Sequence, residues 1–312
     1  MLEKQTYLRF AVQERLLPVF HQPYWLDTVC GGTANWQVIC VRRGEDIVAT
    51  MPLYFKKKGV IGQPPLTPYL GPYIKFPEGQ KPLTKHQYER EVLTELISNI
   101  PPFRYLKFNL LPERTNWLPF YWNYFSQTTR YTYRLYDLNL ERLFDQMKGS
   151  LRRQIRKAEK SIKIEFSDDI ELFFKVNRFT FNRKKMPMPY SLEFLKRLDG
   201  AVKNQRAIMF GKDEKGNIHA GLYLLWDEKR AYYMMGGIHP DYQNSGANPY
   251  LFWQAIKYAA CFVQEFDFEG SMIRSIENFF ASYSAEQTPY FTIFKDNRSF
   301  LRKMVVFLKS RR

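Results

Sequence analysis

"RAIMFGKDEKGNIHAGLYLLWDEK", residues 206–229, decides the fold. An apolar strand-like run breaks at a charged turn containing glycine, and a second apolar run follows, which is the pattern of a β-hairpin. The pattern recurs in "WQVICVRRGEDIVATMPLYFKKK", residues 36–58, where Ile47-Val48-Ala49 stands in the place of Ile218-His219-Ala220. The flanks repeat as well. After the first hairpin come a Pro/Gly-rich stretch, a helical segment near 84–98 and the strand RYLKFNLLP. After the second come AYYMMGGIHPDYQNSGANP, a helix near 249–263 and the strand QEFDFEG. Hairpin, strand-like segment, helix and strand thus occur twice in one order, which predicts an internal duplication. The division falls near residue 137, giving units 1–137 and 138–312. No Gly- or Ser-rich linker separates them.

Composition sets the limits. With 312 residues the chain is too long for one ordinary core and suits two. Its 45% hydrophobic and 17% aromatic content predicts a packed interior, not disorder. The formal charge of +16 favours anionic partners: nucleic acid, membrane lipid or phosphorylated small molecules. Cys30, Cys40 and Cys261 form no C-x-x-C pair, and His21, His86, His219 and His239 are scattered, so neither a disulfide framework nor a metal site is expected. The N-terminus has charges inside any would-be apolar core, and no apolar run is long enough to span a bilayer. A soluble, cytoplasmic protein is expected. The last stretch, NRSFLRKMVVFLKSRR, reads as an amphipathic helix that docks on the protein or lies on an anionic membrane.

The second half opens with "GSLRRQIRKAEKSIKIEF", residues 149–166. Ser150 is placed as the N-cap of a helix from Leu151, with Leu151, Ile155 and Ala158 on one apolar stripe. Arg152, Arg153, Arg156 and Lys157 take the remaining surface. Arginines suit bidentate phosphate contacts, although a run of charge is also what a solvated helix face looks like. A strand IKIEF follows, then helices near 169–183 and 191–203.

The ordered set SLRRQIRKAEKSIKIEF, TFNR, GNIHAGLYLLW, NPYLFWQAIKYA, FDFEG and IENFFASYSAEQTPYF resembles the Fem-type (FemAB-like) transferases and the related BioF2-like acetyltransferase domains of the GNAT superfamily. In the first half, QPYWLDTV and PYLGPYIKFP carry the same resemblance. It implies a mixed α/β fold of two tandem GNAT-like domains, each a mixed sheet flanked by helices. It also implies transfer of an acetyl, acyl or aminoacyl group to an amine of a sugar, peptide or cell-envelope precursor. The donor would be acetyl-CoA or another acyl-CoA, or aminoacyl-tRNA, and the acceptor a phosphate-bearing small molecule or cell-wall precursor. Two departures stand out. Phe280 occupies the place of a lysine common in the family, and the segment 169–203 is too short for the coiled-coil arm of longer Fem-type enzymes.

Acyl transfer to an amine needs a base, aimed donors for the oxyanion and a cradle for phosphate. Asp267, in EFDFEG, is placed to orient or deprotonate the amine, with Glu269 a candidate for the same strand face. Tyr233 is a candidate proton donor to the leaving group, and backbone amides from Tyr233 to Gly237 are candidates for the oxyanion. Gly246 and Asn248 open a helix whose free amides suit phosphate, or simply start and cap it. Arg183 holds a phosphate or carboxylate, or ends a helix. Tyr69, in a Pro-rich loop, lines an acceptor pocket or covers a sheet edge. The competing reading is a noncatalytic protein of the same fold that binds nucleic acid or an anionic membrane surface.

Overall fold

The computed structural model describes residues 3–270 and 272–298. Residues 299–312, most of the expected C-terminal amphipathic helix, lie outside the described residues. The chain divides into two compact units. One takes in the described residues of Met1–Arg130 and Tyr290–Arg312, the other Tyr131–Pro289. The division therefore falls near 130 where the sequence reading puts it at 137, and the segment from Tyr290 to Arg298 returns to the first unit. A return of this kind depends on long-range strand pairing, which leaves no local pattern in the sequence.

The first unit contains α1 (Lys4–Gln13), α2 (Pro23–Val29), β1 (Trp36–Arg43), β2 (Asp46–Lys57), β3 (Val60–Gly62), β4 (Tyr73–Ile74), α3 (Pro82–Ser98), β5 (Tyr105–Asn109), α4 (Leu118–Trp122) and the start of β6 (Ser126–Leu135). The second contains the end of β6, α5 (Leu140–Gln146), α6 (Gly149–Ala158), β7 (Lys163–Ser167), α7 (Ile170–Arg183) and α8 (Leu192–Ala201). It continues through β8 (Arg206–Lys212), β9 (Ile218–Trp226), β10 (Arg230–Ile238), α9 (Ala247–Ala259), β11 (Glu265–Asp267) and α10 (Arg274–Ala281) to the start of β12 (Glu286–Asp296).

The pairing repeats between units. In the first, β1–β2 and β2–β3 are antiparallel, and the chain crosses through α3 to set β5 parallel to β3. In the second, β8–β9 and β9–β10 are antiparallel, and the chain crosses through α9 to set β11 parallel to β10. Each closing strand gains an antiparallel neighbour from a distant part of the chain. Thr292–Asp296 of β12 pairs β5, and Arg134–Leu135 of β6 pairs β11. Both hairpins read from the sequence are present, in the expected order.

Each unit has its own core. Ile39, Met51, Leu53, Val92, Leu96, Leu106 and Phe108 lead the first. In the second, the α6 stripe of Leu151, Ile155 and Ala158 packs with Leu222, Leu224, Leu251, Phe252 and Ile256. Burying Leu151 and Ile155 contributes about 1.5–3 kcal/mol apiece, which holds α6 down while its charged face stays wet. The helix starts earlier than expected, at Gly149, and Ser150 lies within its first turn rather than capping it. The start is set instead by a tertiary bond: the Lys148 amide donates to the Ser282 carbonyl at 3.0 Å, leaving the Lys148 carbonyl to receive the amides of Leu151 and Arg152. Ser191, by contrast, caps α8 by accepting from the Phe194 amide.

Candidate functional site

In the second unit β10 and β11 part company. Their parallel pairing covers Arg230–Tyr232 against Glu265–Asp267, and β10 runs on to Ile238. The register of β10 against β9 shifts between Tyr233 and Met235, so a bulge sits where the partner strand leaves. Bulges re-aim side chains and often mark functional sites. Helix α7 clamps the strand beyond the bulge: Asn177 Nδ2 and Thr180 Oγ1 both donate to the Gly236 carbonyl, at 2.9 and 3.0 Å. A Cβ added at Gly237 would lie 2.1 Å from the Val176 carbonyl oxygen, so helix and strand meet this closely only over glycine.

The other lip of the opening is the turn after β11. Asp267 is fully buried and engaged on several sides. Arg134 Nε donates to its Oδ2 at 2.7 Å, Thr132 Oγ1 to its Oδ1 at 2.5 Å, and the Glu269 amide to Oδ1 at 2.8 Å. Both of its oxygens are thus occupied within the protein. Its charge acts instead on its neighbour.

That neighbour is Glu269, which combines three unusual features. Its backbone is left-handed at φ +54°, a conformation that costs a non-glycine residue about 1–2 kcal/mol. The half-buried side chain has an Oε1 that is out of reach of solvent and has no hydrogen-bond partner. Burial first, and then the charge of Asp267, push its pKa well above the usual carboxylate range. Gly270 follows, also left-handed at φ +51°, and a Cβ there would sit 2.2 Å from the Tyr131 carbonyl oxygen. The sequence alternation suggests Glu269 only weakly, because the strand ends at Asp267 and a sharp turn aims the next acid.

Tyr233 lies at the bulge. Its ring packs on Phe252 at 4.4 Å and near Phe280 at 6.2 Å. Burial raises its pKa, and the charge of Glu269 raises it further, so the phenol keeps its proton. A Cβ at Gly236 would come within 2.6 Å of the Tyr233 hydroxyl. Behind the strand, the Tyr190 hydroxyl donates to Asn177 Oδ1 at 2.7 Å. Phe280, in the place of the family lysine, is buried against Phe268 at 5.0 Å, so that position supplies packing and no charge.

Helix α9 begins at Ala247 with Gly246 as its left-handed cap at φ +79°. A Cβ on Gly246 would meet the Gln154 carbonyl at 3.2 Å and the Ala158 Cβ at 3.3 Å, so α6 lies directly against this helix start. Gly246→Ala is expected to cost about 1–2 kcal/mol from backbone strain alone, read as a lowered midpoint in denaturant unfolding. The first turn is poor in phosphate donors. The Ala247 amide is taken by Ser245 Oγ at 3.2 Å, Pro249 has no amide hydrogen, and the Tyr250 amide bonds the Gly246 carbonyl. That leaves the amides of Gly246, at the cap, and Asn248. The preceding loop, His239–Gly246, contributes Asp241 and neither Lys nor Arg. The helix start therefore offers backbone amides to a pyrophosphate and no side-chain cation from its own loop.

The bases of α6 face outward. Arg153, Arg156 and Lys157 are exposed. Arg152 is half-buried, 3.6 Å from Asp145, and the Arg156 guanidinium lies 5.4 Å from the Phe144 ring centre. They form a cationic strip beside the start of α9, while Asp267 lies in the interior. Arg183 is exposed at the C-terminal end of α7. Tyr69 belongs to the first unit, where it is buried edge-on to Phe20 and Tyr290. The structure thus gathers Tyr233, Asp267 and Glu269 in the second unit, with α9 against them through Phe252 on Tyr233 and through the Pro249 carbonyl, which accepts from the Tyr283 hydroxyl beside Phe268, and leaves Tyr69 in a core. Among the described residues no cluster of His, Cys, Asp and Glu is arranged to hold a metal ion, and no helix is long and apolar enough to cross a membrane.

Comparison with known proteins fits this architecture. A family model described as acetyltransferase (GNAT) domain matches residues 145–273. No curated protein matches the sequence. Among solved structures, FemX superposes with a TM-score of 0.65 at 14% identity, covering 93% of this chain and 96% of that one. The C-terminal domain of a putative lysylphosphatidylglycerol synthetase from Agrobacterium fabrum gives 0.57 at 10% identity, covering 99% and 96%. L-PGS from Bacillus licheniformis gives 0.55 at 13%, covering 97% and 96%. Residues 145–273 therefore match the acetyltransferase (GNAT) domain model, and the chain as a whole has the fold of FemX, built as two units.

Proposed function

We propose that the protein is an N-acyltransferase that moves an aminoacyl group from charged tRNA to an amine of a sugar, peptide or cell-envelope precursor. The observation that carries the reading is Glu269, a strained acid with a raised pKa set beside a protonated tyrosine at the gap between β10 and β11. A carboxylate with a raised pKa is the better base for an ammonium acceptor. In this scheme Glu269 takes the proton from the acceptor, and the neutral nitrogen attacks the acyl carbonyl. The C–N bond forms, the ester C–O bond to the terminal ribose breaks, the Tyr233 hydroxyl protonates the departing oxygen, and the second proton of the attacking nitrogen passes to the Tyr233 phenolate, leaving a neutral amide and restoring the phenol. Asp267 is a positioning residue, holding the turn and raising the basicity of Glu269. In the same scheme, backbone amides of the bulged strand receive the oxyanion.

The donor assignment rests on α6 and α9 together. The loop before α9 carries no Lys or Arg to meet a CoA pyrophosphate, whereas Arg153, Arg156 and Lys157 of α6 make an exposed strip suited to a run of phosphates. The discriminating experiment is a single-turnover assay with charged tRNA and, separately, acetyl-CoA and longer acyl-CoAs, alongside thermal shifts with each. A stabilising shift and turnover with charged tRNA support the reading. Turnover with acyl-CoA alone overturns the donor assignment. RNA or vesicle binding with no turnover from any donor favours the noncatalytic alternative. Substituting Arg153 and Lys157 with Gln is expected to weaken tRNA binding and to lower the slope of log K against log salt by about 0.7–0.9 for each phosphate that is no longer neutralised. An unchanged slope places the RNA elsewhere.

A further inference from the structure

The first unit carries an aromatic patch that the transfer chemistry does not use. Helix α4 turns Pro119 and Phe120 into the core and Leu118, Tyr121 and Trp122 outward, with Tyr124 just beyond it. Tyr121 is 58% exposed, Trp122 51% and Tyr124 85%. Tyr124 also holds a left-handed backbone at φ +60°, a conformation that Gly or Asn would adopt with less strain. Cations flank the patch. Lys295 Nζ donates to the Asn123 carbonyl at 2.8 Å and lies 5.9 Å from the Tyr124 ring centre. Beside Trp122 a hollow of about 580 Å³ is lined by Arg43, Arg90, Glu91 and Glu95 among others, and Arg43 takes the Glu95 carboxylate at 2.9 Å.

We propose that this patch docks the protein on an anionic lipid bilayer. Trp and Tyr are the side chains that settle at the headgroup level, with ring buried and polar end wet. A protein of charge +16 is drawn to such a surface before any ring inserts. Two outward rings and a leucine on one short helix, a third ring beyond it and basic side chains around them match a shallow interfacial anchor better than a protein groove. The proposal is independent of the donor assignment.

The test is co-sedimentation of the full chain with vesicles of phosphatidylcholine alone and of phosphatidylcholine with phosphatidylglycerol. Wild-type protein is expected to sediment with the anionic vesicles and to be released by salt. Trp122→Ser with Tyr124→Asn is expected to weaken that binding by about tenfold. Tyr124→Asn alone is expected to raise Tm by about 2 °C by relieving strain, so weaker binding in the variant cannot be put down to unfolding. Absence of wild-type sedimentation overturns the proposal. So does equal binding by the double variant, which would assign the membrane-binding role to residues 299–312 or another basic surface. A concentration-dependent dimer that Trp122→Ser abolishes, without vesicle binding, would make the patch a self-association surface instead.

Discussion

Glu269→Gln is expected to lower turnover by about 10²–10⁴-fold while making the protein more stable at neutral pH. The two effects have one cause. In the folded state burial and the Asp267 charge hold the Glu269 proton more tightly than water does. The unfolded chain releases that proton near the ordinary value of about 4.3. Between that value and the raised folded pKa, the native state binds more protons than the unfolded state, so stability falls as pH rises. Above the folded pKa the penalty is complete and constant. Glutamine has no proton to lose, so the variant's advantage grows across this window and persists above it. The expected result at pH 7.5 is a Tm about 2 °C or more above wild type, with no loss of tRNA binding and with the pH dependence of kcat/KM flattened on its acidic limb. A variant that keeps wild-type turnover removes Glu269 from the chemistry. One that is destabilised at neutral pH contradicts the buried, charge-crowded environment on which the assignment depends.

The fold was legible because its signals are local. Two hairpins with charged turns, each followed by a crossover helix, can be read from residues 36–58 and 206–229, and the structure pairs both as expected. The apolar stripe of α6 was equally plain. The return of β12 was not, since the pairing of Thr292–Asp296 with Tyr105–Asn109 joins segments far apart in sequence. At the site, alternation in EFDFEG marks Asp267 and Glu269 as a pair of acids but cannot tell them apart. The difference comes from Arg134, which reaches Asp267 from a strand more than a hundred residues earlier, and from the left-handed turn that starts at Glu269. The α6 bases were read correctly as one exposed face of a helix. That Asp267 is buried under the Arg134 guanidinium and the Thr132 hydroxyl depends on tertiary pairing, which a sequence pattern does not show.

Asp267→Ala is expected to destabilise the protein by about 3–5 kcal/mol, a large share of the roughly 5–15 kcal/mol that holds a typical domain together. The loss is not the worth of the ion pair itself. It arises because the Arg134 guanidinium, 1% exposed, is left in the interior without its carboxylate. Replacing both partners with apolar side chains of similar volume should recover much of the stability, since desolvating two charges offsets most of their attraction. Denaturant unfolding of the two single variants and the double variant closes the cycle. Additive losses would show that Arg134 and Asp267 are not coupled. Catalysis separates this structural role from a chemical one. Asp267→Asn keeps an oxygen for the Thr132 hydroxyl and the Glu269 amide but removes the charge that helps raise the Glu269 pKa. It should therefore move the acidic limb of the kcat/KM profile to lower pH while retaining measurable turnover. Were Asp267 itself the base, the same substitution would abolish turnover at every pH, and the assignment of Glu269 would fall with that result.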